Sequence, residues 1–205
     1  MTADLPGSLR PGGRTARTRA AVLQAVVGEL IDHGYAGTTV ERVAARAGIA
    51  KTTIYRRWDS LDGLLADLMT EQAAREIAVP DEGDLDGDLR ALARGVVASL
   101  RDPAIKAALA SMVAAAVQNP AAREVLSRFQ ASRTAQVSVI IDRAIQRGEL
   151  PAGTYAAGVI GTATALIYYR LFVAGEPASE DLADSAAAAA AAAARAGARP
   201  APRPK

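Results

Sequence analysis

Apolar residues recur at helical spacing through most of the chain, and no segment shows the alternation expected of a strand. In the first such stretch, residues 15–33, the apolar face consists of Val22, Leu23, Val26, Val27, Leu30 and Ile31. Gly34 follows this stretch, and a glycine commonly ends a helix. The pattern therefore predicts an all-α protein.

Glycine and proline residues divide the remaining sequence into further helical segments. Thr38 and Glu41 form a T-x-x-E capping box that opens the second helix, and Pro103 suits a first helical turn. About nine helices are predicted, over residues 15–33, 39–47, 51–58, 60–77, 85–100, 103–117, 120–147, 154–173 and 179–194.

The composition excludes several kinds of site. The 205-residue chain has no cysteine, which excludes disulfides, thiolate zinc sites and a cysteine nucleophile. Its one histidine, His33, excludes a histidine metal cluster and is interpreted as a structural residue at a helix end. The acidic residues between 81 and 88 fall in one linker and are interpreted as solvating charge. We therefore predict no enzyme, no cofactor and no metal site.

The charge is divided unevenly along the chain. Residues 10–57 carry nine basic and three acidic side chains, a net charge of +6, whereas residues 58–194 carry eleven basic and eighteen acidic ones, a net charge of −7. A basic N-terminal segment followed by an acidic remainder indicates a polyanionic partner at one end of the protein. Chance clustering of surface charge is the alternative. The start of the chain has no apolar signal core, so we expect a cytoplasmic protein.

The segment from Thr39 to Trp58, TVERVAARAGIAKTTIYRRW, is predicted to be a helix, a glycine break and a short helix. Such a break gives the helix-turn-helix arrangement, whose second helix enters the major groove of DNA. Ile54 and Trp58 are predicted to face the core. The outward residues can all hydrogen-bond to phosphates or base edges: Lys51, Thr52, Thr53, Tyr55, Arg56 and Arg57. An ordinary helical corner with a solvated basic face is the alternative.

With these residues the sequence resembles the tetracycline-repressor-like (TetR) transcriptional regulators, over about residues 15–68. The matching stretches are residues 34–40, 43–44, 47–49 and above all 51–58, followed by Ser60 and Leu64. The second half resembles the family less specifically, through residues 145–150 and 168–170.

The resemblance implies an all-α homodimer. An N-terminal three-helix helix-turn-helix domain would cover residues 15–75, and a C-terminal ligand-binding and dimerisation bundle would cover residues 76–196. A flexible arm, residues 1–14, and a disordered tail, residues 197–205, are expected at the ends. The resemblance further implies a repressor that leaves a near-palindromic double-stranded DNA operator when a small-molecule effector binds. A constitutive dimeric DNA-binding protein without ligand control is the alternative.

The family's DNA contacts carry over by position. Thr39 and Thr53 would contact the DNA backbone, and Lys51 and Thr52 would lie nearest the bases. Backbone or base-edge contacts would come from Tyr55, Arg56 and Arg57.

Two departures from the family pattern matter. Ala50 stands where the family usually has a Ser or Thr helix cap, which removes roughly 1 kcal/mol of capping. Leu61 stands where the family favours a phosphate-binding lysine. Trp58 replaces the usual phenylalanine and is expected to remain a core residue.

Residues 150–169 contain no charged side chain, which is compatible with a membrane span by length. The Pro and Gly residues in this stretch instead favour a buried helix, and we expect no membrane partner. Four small residues allow close approach of a twin helix and are the predicted dimer seam: Ala157, Gly158, Gly161 and Ala165. The alanine run at 186–194 is assigned to the same bundle, with a low-complexity extension as the alternative.

The ligand pocket is the least specified feature. Six larger side chains of the second half are candidates to line it: Met112, Phe129, Arg133, Tyr168, Tyr169 and Phe172. The alternative for each apolar or aromatic candidate is an ordinary core position, which such side chains occupy more often. Arg133 lies at helical spacing from Phe129 and is a candidate contact for an anionic ligand, with a surface arginine as the alternative.

Overall fold

The computed structural model describes residues 13–73 and 78–197, and within these ranges it contains ten α-helices, one π-helical turn and no strand. The fold is all-α, as predicted. The helices are α1 Arg14–Gly37, α2 Val40–Ala47, α3 Lys51–Trp58, α4 Leu61–Ala73, α5 Leu85–Leu100, α6 Pro103–Gln118, α7 Pro120–Val137, α8 Val139–Gln146, α9 Ala156–Tyr168 and α10 Glu180–Arg195, with the π-helical turn Tyr169–Val173 following α9.

The chain forms two compact units, Met1–Leu68 and Met69–Lys205. Three sequence predictions fall wholly or mainly outside the described residues: the arm at 1–14, the domain boundary at 75/76 and the tail at 197–205. The end of the predicted fourth helix, at residue 77, lies outside them as well.

In the first unit, α1 packs against α2 and α2 against α3. Val22, Leu23 and Val26 of the predicted apolar face are buried, but Ile31 is 46% exposed and was wrongly placed on that face. Gly34 has φ +62°, a value that favours glycine, and it interrupts α1 where the helix was predicted to end.

The capping box was predicted one residue too early. Thr39 has extended backbone angles, and its side-chain oxygen accepts a hydrogen bond from the Arg42 backbone N–H at 3.2 Å. The Thr38 hydroxyl instead donates to the Gly34 carbonyl at 2.7 Å. Thr39 is therefore the cap of α2, and Glu41 lies within the first turn. Two adjacent threonines made the register ambiguous in the sequence.

In the second unit, α10 packs against both α5 and α9. The alanine run belongs to this bundle, because Ala186, Ala187, Ala190 and Ala191 are buried. Alanine at these positions removes side-chain bulk, which allows the helix backbones to approach closely.

The predicted helix at 120–147 is two helices, because the chain breaks at Ser138 between α7 and α8. The Ser138 hydroxyl donates to the Ala135 carbonyl at 3.0 Å, and the Ile141 N–H bonds the Ser138 carbonyl in a tight three-residue turn. Ser138 keeps helical backbone angles, φ −61° and ψ −24°, so the break is a local tightening of the helix into a three-residue turn.

The interpretation of the acidic linker as solvating charge is wrong for Asp88, which is 0% exposed. Its carboxylate accepts the Glu82 backbone N–H at 2.7 Å and lies 3.4 Å from Nη2 of Arg147. Asp84 caps α5 by accepting the Gly87 N–H at 2.7 Å. Arg147, the ion-pair partner of Asp88, lies 59 residues away in sequence, so the local pattern could not reveal the pair.

One helical stretch among the described residues, Ala156–Val173, is apolar and long enough to cross a membrane, with a mean hydropathy of 1.4. Core helices of soluble proteins share these properties. In this structure α9 packs against α5, α7 and α10 within the second unit.

Candidate DNA-binding face and ligand cavity

The turn between α2 and α3 is set by Gly48, which adopts a left-handed conformation with φ +66° and ψ +32°. Its N–H bonds the Ala45 carbonyl at 3.2 Å, and the Ile49 N–H bonds the Ala44 carbonyl at 3.1 Å. This pair of hydrogen bonds is a Schellman motif, which closes one helix and redirects the chain. The helix-turn-helix unit therefore follows from the glycine at this position.

Helix α3 is anchored on one side and open on the other. Ile54 is 0% exposed and Trp58 is 8% exposed, so these two residues fix the helix to the first unit. The structure places five of the α3 candidate residues on the exposed side and leaves one, Thr53, half-buried. The exposed residues are Lys51, Thr52, Tyr55, Arg56 and Arg57.

Two of these side chains also have partners within the first unit. The Tyr55 hydroxyl donates to Oε1 of Glu41 at 3.3 Å, and burial together with this carboxylate raises the pKa of Tyr55. The Arg57 guanidinium lies over the Trp58 ring at 5.0 Å and donates to the Thr15 carbonyl at 3.4 Å. Arg57 therefore contributes to packing as well as to the cationic face. Thr39 is exposed at the start of α2.

Both ends of α3 have unusual local structure. Ala50 occupies the N-cap position, and no side-chain hydrogen bond caps the helix there, as the sequence predicted. At the other end, Asp59 has φ +64°, a conformation that L-residues rarely adopt. Gly63 then approaches closely, since a Cβ at this residue would lie 1.9 Å from the Trp58 carbonyl oxygen.

Sequence reasoning missed the side chain that fixes Trp58. The Asp67 carboxylate accepts the Trp58 indole N–H at 2.8 Å and two hydrogen bonds from Arg19, at 2.9 and 2.8 Å. Burial alone would raise the pKa of Asp67, but the hydrogen bonds from Arg19 and Trp58 outweigh it and hold the pKa below its usual value. Asp67 thus links α1, α3 and α4. An acidic residue within the apolar spacing of Leu64, Leu65 and Leu68 was the available signal.

A second buried carboxylate joins α1 to α2. Glu29 is 4% exposed, and its oxygens lie 2.7 Å from Nε of Arg42 and 2.8 Å from Nε of Arg46. The hydrogen bond from Arg42 lowers the pKa of Glu29. His33 contacts the same group, with its Nε2 3.7 Å from Glu29. Two arginines of the basic segment are therefore engaged inside the unit rather than directed at a partner.

The second unit contains a cavity of about 450 Å³. Helices α5, α6, α7 and α9 contribute most of its lining, which is largely aliphatic. Three of the six pocket candidates line it, namely Phe129, Arg133 and Tyr168. Its volume is within the range of small-molecule sites.

The other three candidates lie elsewhere. Met112 is fully buried, Tyr169 is 57% exposed, and Phe172 packs against the core with its ring centroid 6.2 Å from that of Tyr168. Sequence could not separate cavity from core because both require large apolar side chains at helical spacing.

Two contacts with described residues position Arg133 at the cavity wall. Its Nη2 donates to the Gln72 backbone carbonyl at 2.5 Å, and its guanidinium lies 5.4 Å from the Phe129 ring centroid. Burial raises the pKa of Tyr168, and the positive charge of Arg133 partly offsets this increase.

The four predicted seam residues lie within one face of α9 but differ in burial. Ala165 is exposed, Ala157 and Gly161 are half-buried, and Gly158 is buried within the protomer. A Cβ at Gly161 would meet no heavy atom of the described protomer within 4 Å.

Within residues 13–73 and 78–197, no group of three or more His, Asp or Glu side chains is placed to hold a metal ion.

Two family descriptions match this chain. Bacterial regulatory proteins of the tetR family match residues 22–68, and the C-terminal domain of tetracyclin repressor-like proteins matches residues 79–190. The "Uncharacterized HTH-type transcriptional regulator Rv1556" of Mycobacterium tuberculosis (strain ATCC 25618 / H37Rv) is 30% identical over 154 residues, which are 74% of this chain and 75% of that protein. The "Uncharacterized HTH-type transcriptional regulator YdeS" of Bacillus subtilis (strain 168) is 27% identical over 84% of this chain and 87% of that protein.

The fold is also that of a solved regulator. The structure of the transcriptional regulator FadR from Bacillus subtilis, in complex with stearoyl-CoA, superposes with a TM-score of 0.66 at 17% identity. The match covers 84% of this chain and 97% of that one.

Proposed function

Because this chain belongs to the TetR family of DNA-binding transcriptional regulators, we propose that it is a homodimeric repressor. It binds a near-palindromic operator and leaves this operator when a small molecule occupies the cavity of its second unit. The observation that carries the proposal is the exposed polar face of α3 above the buried Ile54 and Trp58.

The exposed face of α3 supplies the chemistry that duplex DNA requires. Lys51 and Arg56 carry positive charge that attracts phosphates and binds guanine edges. Thr52 and Tyr55 offer hydroxyls for phosphate oxygens or bases, and a threonine methyl suits a thymine methyl. An α-helix of this width enters the major groove. Because Arg57 is engaged by Trp58 and Thr15, we propose for it a contact with the DNA backbone rather than with the bases.

A single short helix reads few base pairs, so operator recognition by this fold needs two copies. A two-fold dimer places two recognition helices on half-sites separated by about one helical turn or more. The seam is assigned to α9, where Gly161 and the exposed Ala165 lie one turn apart. Small residues there allow the two backbones to approach closely. Gly158 serves packing inside the protomer instead.

The cavity supports the ligand-controlled part of the proposal. Its volume of about 450 Å³ and largely aliphatic lining suit a small organic molecule. FadR, which shares the fold, was solved with stearoyl-CoA bound. Helix α4 runs without interruption from Leu61 into the cavity residues Met69 and Gln72. A ligand that shifts the position of this helix changes the spacing of the recognition helices, within the limit set by its different affinity for the two states.

The first experiment tests DNA binding. Fluorescence anisotropy compares the full-length protein on the DNA upstream of its own gene with a shuffled duplex of equal length, at several salt concentrations. We expect tighter binding to the upstream DNA, weakened by salt, as phosphate contacts require. Equal affinity for both duplexes would contradict sequence-specific regulation.

The second experiment tests ligand control. Small molecules that raise the melting temperature of the full-length protein are added to the preformed DNA complex and to a transcription reaction from the same DNA. A repressor loses DNA and transcription rises. We expect Gly95→Phe, which fills the cavity from α5, to respond less than the exposed control Ala135→Phe. A complex that ignores every stabilising molecule would favour the constitutive alternative.

A further inference from the structure

The polar residues of the cavity are concentrated where α7 meets α9. Gln130, Arg133 and Thr134 lie three and four residues apart on α7, so they share one helix face. Thr164 and Tyr168 lie four residues apart on α9, and the two helices pack against each other. The remainder of the described lining is mostly aliphatic, including Leu92, Leu109 and Ile160. The cavity therefore has a polar side and an apolar body.

The polar side is positively charged. Arg133 is the one charged residue among the described residues that line the cavity, and none of these lining residues is acidic. The Arg133 charge acts on Tyr168, which also lines the cavity. It lowers the pKa of this phenol and so offsets part of the increase caused by burial. An organic cation would be repelled at this wall, whereas an anion would be attracted.

We propose that the cavity binds an apolar molecule that bears one anionic group, a carboxylate, and that this group is held by Arg133. The assignment rests on the proposed function, since it names the class of its effector. The aliphatic body occupies the space between α5, α6 and α9. Tyr168 and Thr134 offer hydroxyl donors beside the guanidinium.

Binding of the anion has a consequence for α4. Nη2 of Arg133 donates to the Gln72 carbonyl, in the last turn of α4 that the structure describes. A carboxylate is a stronger acceptor for the guanidinium than a neutral carbonyl, because it carries a negative charge and can accept two parallel N–H bonds. The ligand therefore competes with Gln72 for the guanidinium, which connects occupancy of the cavity to the helix that enters the DNA-binding unit.

The test uses decanoate and decanol, which share one alkyl chain and differ in the charge of the head group. Titration calorimetry measures both probes with the full-length wild type, with Arg133→Gln and with Arg128→Gln. Arg128 lies on the same helix, is 71% exposed and does not line the cavity, so it is the matched control. We expect the wild type and Arg128→Gln to prefer decanoate by about ten-fold or more, and Arg133→Gln to lose this preference.

The outcomes distinguish the proposal of an anionic ligand from the proposal that a ligand releases the protein from DNA. Equal binding of both probes, a preference that survives Arg133→Gln, or binding of neither probe would overturn the anionic class. Decanoate that binds through Arg133 without releasing the DNA complex would leave the class standing and contradict ligand-controlled release. A melting-temperature measurement on Arg133→Gln confirms that the variant is folded before the titration.

Discussion

The Trp58 indole N–H donates a hydrogen bond of 2.8 Å to the Asp67 carboxylate. Trp58 ends the candidate recognition helix α3 and Asp67 lies on α4, so this bond joins α3 to the helix that follows it. Arg19 completes the arrangement with two hydrogen bonds to the same carboxylate. The orientation of α3 thus depends on a polar group that the apolar pattern does not reveal.

Asp67→Asn is expected to destabilise the first unit, because it removes the charge that pairs with Arg19. Since the pKa of Asp67 is lowered from 3.8 in the folded state, the carboxylate stabilises the fold above that value and loses its contribution as pH falls through the folded pKa. The difference in free energy of unfolding between wild type and variant should therefore be constant near neutral pH and shrink below about pH 4.

Fluorescence of Trp58, the one tryptophan of the chain, reports the unfolding of this unit in urea. Asp142→Asn on the exposed side of α8 is the control, and its effect should be small. A difference that does not change with pH would contradict the role given to the Asp67 charge.

Gly63→Ala should disturb the junction of α3 and α4. The added Cβ would lie 1.9 Å from the Trp58 carbonyl oxygen, and a backbone atom cannot move aside without shifting α3. We expect a loss of about 1–3 kcal/mol in the free energy of unfolding of the first unit. Gly95→Ala on α5 is the control, because a Cβ there meets no described heavy atom within 4 Å. Equal losses in both variants would refute the explanation by backbone contact.

Ala50→Thr should stabilise α3. Ala50 already has the extended backbone of an N-cap, with φ −68° and ψ 135°, but it offers no side-chain acceptor. A threonine oxygen there can accept an N–H of the first turn, which is worth about 0.5–2 kcal/mol. Ala50→Val has nearly the same shape without the oxygen. Urea unfolding of the two variants should differ by this amount, and identical stabilities would exclude capping at this position.

Gly161→Leu tests the assigned dimer seam. A Cβ at this position meets no described heavy atom of the protomer within 4 Å, so we expect the monomer to fold. Across a close helix pair the bulk should raise the dimer dissociation constant, measured by sedimentation velocity, by about ten-fold or more. Ala135→Leu, exposed on α7, should leave it unchanged. A dimer as tight as wild type would place the interface elsewhere.

Local signals located most of the helices. The structure turns near three residues that predicted helix boundaries, Gly34, Gly48 and Pro103. Helix α5 has the predicted bounds. The break at Ser138 was missed because it is a single tightened turn with helical backbone angles, and no glycine or proline marks it in the sequence.

The features that the sequence did not predict depend on pairings between residues far apart in the chain. Asp67, Glu29 and Asp88 each meet a partner brought close only by the fold, so no short window contains both members. The exposed side of α3 could be predicted from the sequence because its residues lie on one helix. Only half of the predicted pocket residues line the cavity, because the cavity is assembled from several helices.

If the exposed face of α3 binds DNA, Lys51→Ala must weaken operator binding. Operator affinity is measured against salt concentration for this variant and for Lys106→Ala, which removes an exposed lysine from the second unit. We expect Lys51→Ala to lose about 1–3 kcal/mol of binding per half-site, while Lys106→Ala and the dimer remain unaffected. An unchanged affinity of Lys51→Ala at every salt concentration would contradict the placement of the recognition helix.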